Sequence, residues 1–201
     1  MANINMPSGL APVMYLNGAP WNGQARMYYI ASNNGSAFAI GDPVASSGDG
    51  DATLGIPGVV LATAGVGNKV RGVIVGAGVT PDGGPYVDPS NLGTIIVPAT
   101  KTKAYYVAVC DDPNVIFEIQ EGGVGAALTS AAIGTNYDLL SGTNNGYLSG
   151  WLLDNNSAGT GATVQLRTLG LARRPGNVFG TYAKWNVLIN NHEIRPGTVG
   201  T

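Results

Sequence analysis

The sequence predicts an all-β fold: a compact β-barrel or β-sandwich of short strands with an extended N-terminal arm. Three observations carry this expectation. Gly supplies 31 and Pro 12 of the 201 residues, nearly twice the usual combined share of roughly 12%. Those residues interrupt almost every window long enough for a stable helix. Between them, short runs rich in Val, Ile, Tyr and Phe recur at roughly the 8–12-residue spacing of sandwiches and barrels. Hydrophobic residues make up 44% of the chain, enough for a real core.

Residues 1–25 carry no charge and contain Pro7, Pro12 and Pro20. The prolines forbid a helix and favour an extended path. Leu10, Val13, Met14, Tyr15, Leu16 and Trp21 make the segment too apolar for a solvated tail. Two readings satisfy that need for burial: a strand lying on its own domain, or an arm docking on a neighbouring subunit. From Arg26 the strand signals begin. Strands are expected over 27–31, 38–40, 59–62, 70–75, 94–97, 104–109 and 115–119. Polar or Gly- and Pro-bearing loops separate them at 32–36, 46–51, 65–68, 80–91 and 111–114.

Further on, 126–133 reads as at most a turn or two of helix, ended by Gly134. Strands at 137–140 and 146–148 flank Asn144-Asn145-Gly146, a hairpin signal. The segments 163–169 and 184–190 alternate apolar and polar residues. The expected organisation is an arm over 1–25, one β-rich domain over 26–190 with a possible second lobe from about 122, and a polar tail over 191–201. No fixed-period repeat is present.

Charge narrows the function classes. Only 11% of residues are charged, and the net charge is −2. A chain without a basic patch lacks the phosphate-neutralising charge of a nucleic-acid binder. The most apolar stretch, 58–79, is broken by Lys69, Arg71 and several glycines, so no membrane span is expected. No basic run precedes an apolar one at the N-terminus, which points to synthesis in the cytoplasm. A surface this poor in charge suits lasting contact with other protein.

The chemistry-bearing residues are few. His192 is the one histidine; it stands beside Glu193 and reads as a surface or interface residue, with no Gly-x-Ser-x-Gly to serve. Cys110 is the one cysteine, so no internal disulfide forms, and its neighbours Asp111 and Asp112 oppose a thiolate. Asp111-Asp112-Pro113-Asn114 reads as a turn and Glu118 as an outward strand residue, which leaves Glu118 and Glu121 a poor glycosidase pair. Asp49-Gly50-Asp51 is too short for calcium. Asp154-Asn155-Asn156 opens like a calcium loop, but Ala158 and Gln165 fall where ligands belong. Gly76-Ala77-Gly78 and Gly122-Gly123-Val124-Gly125 lack a nucleotide-binding pattern. No catalytic residue, metal or cofactor is expected.

Several stretches resemble tailed-bacteriophage head decoration proteins, also called capsid cement proteins. They are Phe38-Ala39-Ile40-Gly41-Asp42-Pro43-Val44, Leu61-Ala62-Thr63-Ala64-Gly65 and Gly72-Val73-Ile74-Val75-Gly76, with the segments 109–121 and 183–192. The opening Gly9-Leu10-Ala11-Pro12-Val13 and the stretch 16–23 are similar too. The resemblance implies a non-enzymatic virion protein on the outer capsid surface, often a homotrimer, that clamps neighbouring major capsid protein subunits. In that setting Leu10, Pro12, Val13, Met14, Tyr15, Leu16 and Trp21 are the expected docking residues. Trp185, Val187 and Ile189 are the expected oligomer contact. The alternative is a receptor- or glycan-binding phage β module, for which exposed Tyr147 and Trp151 would speak.

Overall fold

Strand residues in this chain are set by pairing as much as by propensity, and the result is one closed barrel beside an open sheet and a two-stranded ladder. A computed structural model describes residues 3–78 and 96–200. Among them are twelve strands: β1 (Ala11–Tyr15), β2 (Arg26–Ile30), β3 (Pro43–Gly50), β4 (Pro57–Leu61), β5 (Gly72–Gly78), β6 (Tyr105–Cys110), β7 (Val115–Gln120), β8 (Asn136–Tyr137), β9 (Leu139–Leu140), β10 (Leu152–Leu153), β11 (Leu166–Leu171) and β12 (Lys184–Ile189). Strands β2-β4-β3-β5-β6 close into a barrel. Strands β1-β7-β12-β11-β8 form an antiparallel sheet, and β10 pairs with β9. The all-β expectation is met.

Alternation along each strand divides the side chains between two cores. Tyr28, Ile30, Val44, Val59, Ile74, Val107 and Val109 fill the barrel with Phe38 and Val97. Val73 and Cys110, paired across β5 and β6, point the other way. They join Phe117, Ile119, Trp185, Val187 and Ile189 of the sheet in the second core. The β5–β6 wall is therefore apolar on both faces, which ties barrel and sheet together. Closure gives each barrel strand a neighbour on both sides, with β3 meeting β5 only at Pro43 and Val44.

Local chemistry explains the junction around Gly-Asp-Pro-Val. Gly41 has φ +94°, and the buried Asp42 carboxylate accepts the Ala39 N–H at 2.7 Å. Gly9 has φ +66°, and a Cβ there would strike the Gly41 carbonyl and Ser149. Only glycine gives both the backbone angle and the close approach. It lets the Leu10 N–H reach the Gly41 carbonyl at 3.0 Å, and Leu10 is then buried in the sheet core.

Several expectations change here. The segment 46–51 is not a loop: β3 runs to Gly50, its outer half exposed and irregular in register between Ser46 and Gly50. Ser, Gly and Asp have low strand propensity, and pairing with β4 overrides it. The candidate helix is one 3-10 turn, Ser130–Ala132, capped by Thr129. Asn144-Asn145-Gly146 does turn the chain, with the Asn145 side chain accepting the Tyr147 and Leu148 N–H groups. Its flanks do not pair as a hairpin, because β9 takes β10 instead. The sheet lobe begins at β7 rather than near 122, and it draws in β1. The polar tail is tied to the domain over 191–200: the Thr198 N–H reaches Asn190 Oδ1 at 2.9 Å and the Gly200 N–H reaches the Thr160 carbonyl at 2.9 Å. The loop read at 80–91 and the first half of the strand read at 94–97 lie outside the described residues; Val97 pairs with Phe38.

Candidate interaction surfaces

The stretch expected as a docking arm is divided by the fold. Ala11–Tyr15 is an edge strand of the chain's own sheet, with Pro12 opposite Phe117 and Tyr15 opposite Val115. Its outer edge is covered by the returning chain: the Trp21 N–H bonds the Val13 carbonyl and the Tyr15 N–H the Ala19 carbonyl. Leu10 is core, and Trp21 packs partly buried against that core. So Leu10, Pro12, Val13, Met14 and Tyr15 lie on their own domain, because β7 needs a partner and the Leu10 slot is preformed. What stays exposed is Ile4, Met6 and Leu16, at 78%, 65% and 49%. The N-terminal residues strap the far end of the sheet. Asn3 Nδ2 bonds the Val178 carbonyl at 2.9 Å and the Thr181 carbonyl at 3.1 Å. Gln120 Oε1 accepts the Met6 N–H at 2.8 Å.

Trp185, Val187 and Ile189 are corrected as an oligomer contact. All three are buried in the chain's own core. Strand alternation gives the opposite face of β12 to Lys184, Asn186 and Leu188. On that outer face a groove of about 890 Å³ opens, floored by Met14, Ile116 and Leu169 and walled by Ile133 and Phe179. Glu118 lies in it, with Arg174 Nη1 at 3.2 Å and Lys184 Nζ at 3.8 Å. Arg173 stands exposed on the rim.

The aromatic pair Tyr147 and Trp151 does not form an exposed platform: Tyr147 is exposed and Trp151 is core.

At the seam of barrel and sheet sits a polar cluster that sequence spacing did not disclose. The Tyr28 hydroxyl donates to Asp111 Oδ2 at 2.7 Å and accepts from Arg71 Nε at 2.8 Å. Arg71 Nη2 also reaches Asp111 at 3.3 Å. Burial first, then the Asp111 bond, pushes the Tyr28 hydroxyl up to about 12. Residues 28, 71 and 111 come from β2, a loop before β5 and a turn after β6; nothing local in the sequence links them.

His192 is also a correction, since it is buried at 2% exposure rather than at the surface. It bridges to Val70. Its Nδ1 accepts the Ile194 N–H at 3.2 Å, so the proton of the neutral ring is on Nε2, which is buried without a partner. Burial, then Arg71 and Arg195, brings its pKa down to about 4. Cys110 is buried, and burial ahead of the neighbouring aspartates pushes its thiol up to about 11. Neither group is set up as a nucleophile–base pair. Glu121 is fully buried: Oε2 accepts from Trp185 Nε1 at 3.1 Å and the Leu128 N–H at 3.2 Å, while Oε1 has no partner. Among the described residues no group of three His, Cys, Asp or Glu could hold a metal ion, and no helix is long and apolar enough to cross a membrane.

No family model matches this chain, and no curated protein or solved structure is significantly similar to it.

Proposed function

We propose that this chain is a non-enzymatic decoration protein of a tailed-bacteriophage head, bound to the outside of the capsid and clamping neighbouring major capsid protein subunits. The observation that carries the reading is the uncharged, partly exposed N-terminal surface. Residues 1–25 contain no charged side chain, and Ile4, Met6 and Leu16 present apolar side chains to solvent although β1 between them is paired. Burying such side chains contributes ~1.5–3 kcal/mol each. Because the strap is already held by Asn3 and Gln120, the ordering cost of docking is reduced. Many weak contacts of this kind add on a repetitive shell, and an interface poor in charge is little affected by salt. The sequence resemblance to cement proteins points the same way, and homotrimerisation belongs to the same proposal.

The test is capsid binding by the full chain and by an I4S/M6S/L16S variant, with the copy number in purified virions measured alongside. The expected result is hundreds of copies per particle, and a variant that melts like the parent but binds capsids at least about tenfold more weakly. Unchanged binding by the variant, or a handful of copies at a tail tip, overturns the reading.

A further inference from the structure

The few charges of this chain are segregated. Between Arg26 and Lys69 it carries Asp42, Asp49 and Asp51 and no cation. Between Asp154 and Glu193 it carries Arg167, Arg173, Arg174 and Lys184 and no carboxylate. The fold turns these stretches into two surfaces. The first is the tip of the β3–β4 hairpin, where Asp49 is exposed and Leu54 is 51% exposed. Asp51 is fixed there by the Thr53 and Leu54 N–H groups, at 2.9 and 3.2 Å. The second is the outer sheet groove, whose floor is apolar and whose rim bears Arg173 and Arg174. Among the described residues the one carboxylate lining it, Glu118, is already engaged by Arg174 and Lys184, so the described lining keeps an excess of positive charge.

We propose that the groove receives the β3–β4 tip of a second copy of this chain, with Leu54 on the apolar floor and Asp49 and Asp51 toward the Arg173 rim. The complementarity is of both kinds that interfaces use: an apolar anchor in a concave site, and opposite charges around it that set the register. Tip and groove share no residue and belong to different lobes, so each copy donates one and offers the other. A contact of that type is heterologous; it closes into a ring when the rotation permits and otherwise propagates as a chain. The contact deepens the self-association in the proposed function and leaves capsid binding aside.

Sedimentation velocity and light scattering of the purified full chain, with no capsids present, test it. The expected mass rises with protein concentration and falls with added salt. D49R and R173E each weaken association on the order of tenfold, and the D49R/R173E double variant recovers it. L54S weakens association with no change of charge, and unchanged thermal melts show that every variant is folded. A chain that stays monomeric at all concentrations overturns the proposal. So does association that neither single reversal alters, which would place the contact on another face, or a double variant no better than the single ones. Any of these leaves the capsid-binding test untouched.

Discussion

His192 and Glu121 are opposite cases of one effect, the cost of burying a charge. The His192 ring is held neutral, its pKa brought from 6.5 down to about 4 by burial and the nearby arginines. The neutral form favours the fold, so this stability is fully present above about pH 6.5 and is lost as pH falls toward 4. The amount is up to about 3 kcal/mol. Urea denaturation at pH 7 and pH 5 should show H192Q losing less stability than the parent across that interval. Glu121 titrates in the other direction. Burial raises its pKa from 4.5, so its contribution is present below 4.5 and is lost as pH rises through the folded value. The same denaturation series should find E121Q flatter with pH than the parent, since the amide keeps an acceptor for Trp185 and Leu128 and cannot ionise. E121A leaves two buried donors without an acceptor, at roughly 1–3 kcal/mol each. Neither residue was legible as buried: His-Glu reads as polar surface, and Glu121 follows Gln120 at a strand end. Partners far along the chain, Val70 for one and Trp185 for the other, put them inside.

At the scale of elements, β1 is the test of how the N-terminus works. Removing residues 1–24 takes away the strand paired with β7 and the buried Leu10. The bare β7 edge then invites intermolecular pairing, and the vacated Leu10 site alone costs ~2–5 kcal/mol by analogy with Leu→Ala changes. The truncated protein should melt at lower temperature and aggregate, as circular dichroism and light scattering would record; a soluble product with the parent melt would show that β1 is dispensable. A milder change, G9A, meets both a left-handed backbone angle and the Gly41 carbonyl, and should lower the melting temperature through the same junction. Most strands were readable because their residues are β-branched or aromatic, as in Met27-Tyr28-Tyr29-Ile30. One misread element, β3, has Ser46-Ser47-Gly48-Asp49 in place of such residues. Its strand conformation comes from β4 beside it, a neighbour that propensity does not represent.

For the molecule as a whole, the wall formed by β5 and β6 decides cooperativity. Val73 and Cys110 belong to the same core as Phe117 and Trp185, while Ile74 and Val109 belong to the barrel. Neither lobe can lose its packing without exposing a face of that wall. Barrel and sheet should therefore unfold in one transition, with the calorimetric and van't Hoff enthalpies equal and Trp fluorescence coincident with far-UV dichroism. Two resolved transitions would show that the lobes are energetically separate.

What the sequence determined by itself was the class: abundant Gly and Pro with short β-branched runs exclude helical alternatives, because Pro removes an i→i−4 donor and Gly costs about 1 kcal/mol of backbone entropy in a helix. It also determined the charge-poor surface, since composition needs no fold to be read. Only the tertiary structure decided which face of each strand is core. A period of two offers two equivalent faces, and nothing in Lys184-Trp185-Asn186-Val187-Leu188-Ile189 says whether its apolar set meets its own lobe or another subunit. Pairing with β7 and β11 brings that set against Phe117, Ile119 and Leu166 and leaves Asn186 and Lys184 beside the groove. Contacts between residues far apart in the chain made that choice, because the core forms where both sheets can exclude water at once.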